Sequence, residues 1–306
     1  HLAKTSLLLL APSLFEGLGL PPIEALAVGT PAIVSDIPVK REVFAGTPIR
    51  FHKPDDPAGL ANAIETLLAD PESGWKLVDA FWPKVADYTV EGVATKIVAA
   101  YETLKRVRAS LDSKTTLLGF AGAPWTLATY MAAGRGGDEQ KAAKLWGYRD
   151  PQSFTRLLDV LADCVASHLI RQIEAGADAV QIFDSWASGL PDAQFERWVI
   201  APTKKIVAKI RTVHPNAKII GFPRAATLAG YEHYANEVGV DAVSLDTAAP
   251  MSWAARTLGG KITLQGNLDP IALIAGGDAL SESVDGILEA TRDVPLIFNL
   301  GHGILQ

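Results

Sequence analysis

Thr115–Met131 reads TTLLGFAGAPWTLATYM. An apolar run from Thr116 to Phe120 meets Ala121-Gly122-Ala123-Pro124 and then an apolar rhythm of helical period. That is how a buried strand passes through a tight turn into a helix, so the stretch predicts a βα unit. The same grammar continues to the C-terminus. After Leu117–Phe120 the apolar runs are Ala179–Phe183, Ile219–Phe222, Ala242–Leu245, Ile262–Leu264 and Leu296–Leu300. Amphipathic helices lie between them; over 151–175, Phe154, Leu157, Leu158, Leu161, Val165, Leu169 and Ile173 share one face. Six parallel βα units in series predict an α/β fold that is most of a (β/α)8 barrel, a partial TIM barrel two units short. Polar residues gather just after the runs: Asp184-Ser185, Pro223-Arg224, Asp246, Asn267 with Asp269, and Gly301-His302-Gly303. In a barrel these positions face one mouth, where catalytic groups collect.

Working back from Thr115, residues 1–107 alternate short strands and helices: Leu7–Leu10, Pro22–Val28, Pro31–Asp36, Ile49–Phe51 and Pro57–Ala69. Asp55-Asp56-Pro57 is an N-cap with proline in the first turn, and Leu60, Ile64, Leu67 and Leu68 repeat behind it at helical spacing. A second helix is expected over 91–108, with Val93, Ile97, Val98, Tyr101 and Leu104 on one side and basic residues at its end. Ala109–Lys114 is polar and reads as the connector between an α/β segment, 1–108, and the barrel segment, 115–306.

With 306 residues, 48% of them apolar, the chain can bury roughly three quarters of its unfolded surface as one large or two ordinary domains. The net charge of −6 and the lack of a Lys/Arg block argue against a nucleic-acid partner. Cys164 stands alone, which excludes an intrachain disulfide and suits a reducing, cytoplasmic compartment. It falls among apolar helical residues and reads as a buried structural thiol. No metal site is expected. The longest apolar stretch, Leu7–Pro12, is far short of the ~20 residues of a membrane span.

Residues 11–44, APSLFEGLGLPPIEALAVGTPAIVSDIPVKREVF, resemble the donor-binding part of family-4 GT-B glycosyltransferases, a Rossmann-like fragment. Glu16 and Glu24 bracket Gly17-Leu18-Gly19-Leu20 in an E-x7-E spacing. The resemblance implies a nucleotide-sugar site: backbone at Gly17 and Gly19 toward a diphosphate, Glu24 on ribose hydroxyls, Glu16 near the transferred sugar. The partner domain of a GT-B enzyme and the earlier half of its donor domain have no counterpart, so activity is not expected. Asp36 reads as a loop-capping residue.

From Thr115 onward the chain resembles uroporphyrinogen decarboxylase in GFAGAPWTLATYM, AVQIFDSWAS, IIGFPR, VDAVSLDT, TLQGNLDP and FNLGHGIL, in that family's order. The resemblance implies a (β/α)8 enzyme that removes carbon dioxide from the four acetate side chains of uroporphyrinogen III, yielding coproporphyrinogen III without metal or organic cofactor. It assigns substrate contacts to Tyr130, Ser185 and His302, whose hydroxyls and imidazole can bind or protonate around acetates where water is excluded. Arg224 can hold a carboxylate bidentately, although Ala225-Ala226 follow where the family is richer in glycine. Asp246 and Asp269 read as loop-positioning groups. The family's opening arginines and its intermediate-stabilising Asp have no counterpart before Thr115, so little or no turnover is expected.

Three readings stay open: a crippled decarboxylase by descent, a glycosyltransferase fragment carrying a passenger, and a non-enzymatic chimeric chain. The expected partners are a tetrapyrrole, a nucleotide sugar and a second copy in a homodimer.

Overall fold

The computed structural model describes residues 3–14, 19–133 and 137–303; Glu16 and Gly17 lie outside them. The chain divides into two compact units, one within His1–Ala100 and the other within Tyr101–Ala132 and Gly136–Gln306.

The first unit is built on β1 (Leu9–Ala11), β2 (Ala32–Ser35) and β3 (Arg50–His52), paired in parallel in that order. All four residues of the central strand, β2, are buried, as a strand covered on both faces must be. Helices α1 (Leu20–Ala27), α2 (Pro38–Val43), α3 (Pro57–Ala69) and α4 (Pro71–Val85) connect and cover the sheet. The α3 start is the one its sequence announces: the Asp56 carboxylate accepts from the Gly59 N–H at 2.8 Å, two residues past Pro57 at N1. Leu26, Val34, Phe44 and Phe81 fill the core, with the two phenyl rings 5.1 Å apart.

Helix α5 (Val90–Ser110) has no fully buried residue, and Val93, Ile97 and Val98 are exposed. Its last turns belong to the second unit. The Tyr101 hydroxyl meets His168 Nδ1 at 2.8 Å, and Arg108 bonds Asp178 at 2.7 Å and the Thr115 carbonyl at 2.8 Å. The two units therefore part at 100/101, inside α5, and not in the polar connector at 109–114. A connector's composition marks where the chain bends, whereas these side chains decide to which unit the helix end is fastened.

The second unit carries β4 (Leu118–Gly122), β5 (Ala179–Asp184), β6 (Lys218–Pro223), β7 (Ala242–Ser244), β8 (Thr263–Leu268) and β9 (Leu296–Leu300). They form one six-stranded parallel sheet in sequence order. Between them run α6 (Pro124–Ala133), α7 (Lys141–Arg149), α8 (Pro151–Glu174), α9 (Asp192–Phe195), α10 (Ala201–Val213), α11 (Leu228–Glu237), α12 (Met251–Thr257), α13 (Pro270–Ala275) and α14 (Gly277–Ala290). Strand β8 extends past the expected Leu264 through Gln265-Gly266-Asn267, polar residues that read as loop but face the interior.

Period-two alternation sorts the strands into two faces. Val180, Ile182, Ile219, Val243 and Leu264 join Phe154, Leu158, Val165 and Leu169 of α8 in one apolar core. Cys164 is on the opposite side of α8 and exposed, contrary to its expected burial, because Val165 and Ala166 take the inward positions. On the other face, Leu118, Ala179, Ile220, Ala242, Thr263 and Ile297, one from each strand, line a cavity of about 510 Å³ at the N-terminal ends of the strands, together with Asp178, Lys218 and Asp241. Nearer the middle of the strands, the buried Gln181 of β5 donates to the buried Gln265 of β8 at 3.0 Å.

Strands β4 and β9 each have a neighbour on one side only among the described residues. Their apolar side chains Leu118, Phe120, Ile297 and Phe298 are correspondingly exposed. No described helix is long and apolar enough to cross a membrane.

Candidate functional site

The C-terminal ends of the six strands bring the chemistry together. Asp184 closes β5 with its carboxyl wholly buried; Oδ1 accepts from the Thr126 hydroxyl of α6 at 2.7 Å, and Oδ2 has no hydrogen-bond partner. Burial raises this carboxyl to about 7, against the opposing pull of the hydrogen bonds from Thr126. One residue earlier on α6, the Trp125 indole N–H donates to the Trp186 carbonyl at 2.7 Å. The Trp186 ring in turn meets Tyr130 edge to face at 6.3 Å. Tyr130 thus adjoins the loop Asp184-Ser185-Trp186 through the Trp186 ring.

Arg224 follows β6 and its N–H donates to the Asp184 carbonyl at 3.1 Å, so its loop adjoins that of Ser185. Its guanidinium has no ion-pair or hydrogen-bond partner among the described residues, which leaves it available to an anion. Ala225 beside it takes a left-handed φ of 57°, where glycine would carry no Cβ penalty.

The third cluster surrounds Asp246. Its carboxylate accepts from the Tyr231 hydroxyl at 3.0 Å and the Ala248 N–H at 2.7 Å, so it positions its loop as expected. Burial first, then the Asp246 charge, pushes the Tyr231 phenol well up. Asn267 is inside β8, not after it; its amide donates to the carbonyls of Asp246 at 2.8 Å and Ala249 at 2.6 Å. Asp269 caps α13 through the Ile271 N–H. Gly301 lies so close to Thr247 that a Cβ there would sit 2.7 Å from Thr247 Cγ2, which ties the loop of His302 to this cluster. His302 Nδ1 meets the Gly303 carbonyl at 2.8 Å. His302 follows β9, at the far edge of the sheet from β4, which precedes Tyr130.

Beneath the Tyr130–Trp186 side runs a row of phenyl rings that the sequence reading passed over. Phe120, Phe183 and Phe222 project from adjacent strands on the same face as Gln181, edge to face at 6.0 and 5.9 Å. Their shared strand parity was the available signal. Among the described residues no three of His, Cys, Asp and Glu are grouped as metal ligands are.

In the first unit Gly19 takes a left-handed φ of 75° as N-cap of α1, and Glu24 is exposed. Helix α1 starts at Leu20, two residues before the expected Pro22, so Pro21 and Pro22 fall in its first turn and remove two of the N–H donors a diphosphate would need. Asp36 pairs with Arg41 at 2.6 Å, whose hydrogen bond holds the carboxyl below its usual range.

Two family models match the chain: Uroporphyrinogen decarboxylase (URO-D) over residues 79–306 and Glycosyl transferases group 1 over residues 1–80. The chain is 43% identical over 286 residues to a uroporphyrinogen decarboxylase of Rhizorhabdus wittichii, covering 94% of this chain and 77% of the relative. To one of Brucella anthropi it is 45% identical over 294 residues, covering 96% and 80%. Both alignments reach residues before Thr115, and the family match begins at residue 79 and takes in all of α5, so the likeness to that family starts upstream of the expected Thr115. Among solved structures, a methyltransferase from Methanosarcina mazei superposes with a TM-score of 0.57 at 19% identity over 67% of this chain and 58% of that one, a likeness of fold.

Proposed function

The chain belongs to the uroporphyrinogen decarboxylase family, and from that membership we propose that its second unit holds a tetrapyrrole at the C-terminal ends of the six-stranded sheet but decarboxylates it little or not at all. The sheet is read as six of the eight units of a (β/α)8 barrel, and the first unit as a GT-B fragment joined to it.

One observation carries the binding reading: Phe120, Phe183 and Phe222 form a row on one face of the sheet, and Tyr130, Ser185 and Arg224 follow the C-terminal ends of the same three strands. Phenyl edges and faces suit the flat, apolar pyrrole rings, while hydroxyls and a guanidinium at the strand ends suit their carboxylates. The same inventory argues against turnover. Arg224 is the one cation among the polar residues singled out at the strand ends, facing a substrate with four acetates besides its propionates. A transition-state charge without a preorganised counter-charge loses about 3 kcal/mol or more per missing group.

Calorimetric titration of the full chain with uroporphyrin is the test. We expect saturable binding in the micromolar range, weakened about tenfold by Arg224→Ala and unchanged by Glu24→Ala. Absence of saturable binding would remove the reading. The nucleotide-sugar reading of the first unit has less support, since the two prolines in the first turn of α1 leave few donors for a diphosphate. A micromolar dissociation constant for a nucleoside-diphosphate sugar that Glu24→Ala weakens would restore it.

A further inference from the structure

We propose that Asp184 is a positioning residue for the tetrapyrrole face: its buried carboxyl holds α6 against the loop after β5 and so sets Tyr130 relative to Ser185. This rests on the reading of that face as the binding surface.

Three contacts make the clasp. The Thr126 hydroxyl donates to Asp184 Oδ1 at 2.7 Å, the Trp125 indole donates to the Trp186 carbonyl at 2.7 Å, and the Tyr130 ring lies against Trp186 at 6.3 Å. Thr126 and Tyr130 are one helical turn apart, so a displacement at the first is carried to the second. The Asp184 carbonyl also accepts from the Arg224 N–H at 3.1 Å. One residue thereby stands at the root of three candidate substrate contacts.

The clasp suits one protonation state. Facing the carboxyl are Thr126 from α6 and the buried Tyr234 phenol from α11, with the Ala187 and Arg224 backbone N–H groups on its carbonyl; none brings a positive charge to Oδ2. Burial without a counter-charge favours the neutral acid, in keeping with a carboxyl raised to about 7. Ionisation leaves an unpaired buried charge, relieved by entry of water or movement of α6, and the spacing of Tyr130 and Ser185 changes with it.

The experiment follows uroporphyrin affinity and the Trp125 indole ¹H–¹⁵N signal of the full chain between about pH 6 and about pH 8.5, in the unaltered chain, Asp184→Asn and Thr126→Val. We expect about tenfold tighter binding at the lower pH, an indole signal that moves with a midpoint near 7, and in Asp184→Asn the low-pH affinity and a still signal throughout. Thr126→Val, which cuts the clasp without touching the carboxyl, is expected to weaken binding at both pH values. Equal affinity across the range with a motionless indole signal overturns the inference. If no uroporphyrin binds at any pH, the binding-surface reading falls and the indole titration decides alone. Movement that Asp184→Asn or Thr126→Val abolishes upholds the clasp, and no movement ends it.

Discussion

Trp125→Ala is expected to destabilise the second unit by about 4 kcal/mol, the range for removing a large aromatic from a packed core. Trp125 is wholly buried, stacks on Trp198 at 5.0 Å and meets Phe154 edge to face at 6.1 Å. The substitution also strips the Trp186 carbonyl of its donor. The loss should be read from native-state hydrogen exchange at the β5 amides of Val180 and Ile182, because two compact units make a single global midpoint ambiguous. Trp75→Ala is the control: that ring is exposed in the first unit, and its removal should shift the β5 amides by less than about 0.5 kcal/mol. Equal effects of the two substitutions would mean that the Trp125–Trp198–Phe154 cluster is not the core it resembles.

The stability of the second unit is expected to fall as pH rises through neutrality, by an amount attributable to Asp184. Its carboxyl lies near 3.8 unfolded and about 7 folded, so between these values the native state holds a proton that the unfolded chain has released. The contribution is complete below the lower value and lost as pH passes the upper one, amounting to roughly 4 kcal/mol at 1.36 kcal/mol per unit. Other carboxylates work in the opposite sense: Asp178 and Asp163 are held below their ordinary range, Asp178 chiefly by the Leu117 N–H and Asp163 chiefly by Lys209. The clean measurement is therefore the difference between the unaltered chain and Asp184→Asn, by hydrogen exchange at the same amides from about pH 4 to about pH 8. A difference that stays flat would mean that Asp184 is solvated.

The sequence carried the strands further than the site. Apolar runs after Thr115 located all six strands of the second sheet, and β9 matches its run residue for residue. Where strand residues are polar the pattern failed: Gln265 and Asn267 face an interior bridged by side-chain bonds, and a hydropathy pattern registers them as loop. The boundary failed for a related reason, since Arg108 and Tyr101 fasten the end of α5 through polar contacts distant in sequence. For the candidate site, the resemblance proposes Tyr130 and Ser185. Asp184 was visible as a letter beside Ser185, but its burial depends on Thr126 some 58 positions away, which no local spacing reveals. Resemblance likewise pointed to the glycine-rich turn of the first unit without registering that α1 begins early enough to place two prolines among its donors.

The central proposal is a face that holds a tetrapyrrole with little or no turnover. It is tested most directly by incubating the full chain with uroporphyrinogen III, anaerobically and shielded from light, and separating the porphyrinogens by carboxyl number. The expected result is porphyrinogen retained by the protein with all its carboxylates intact. Accumulation of the heptacarboxylate above the protein-free control would contradict the account.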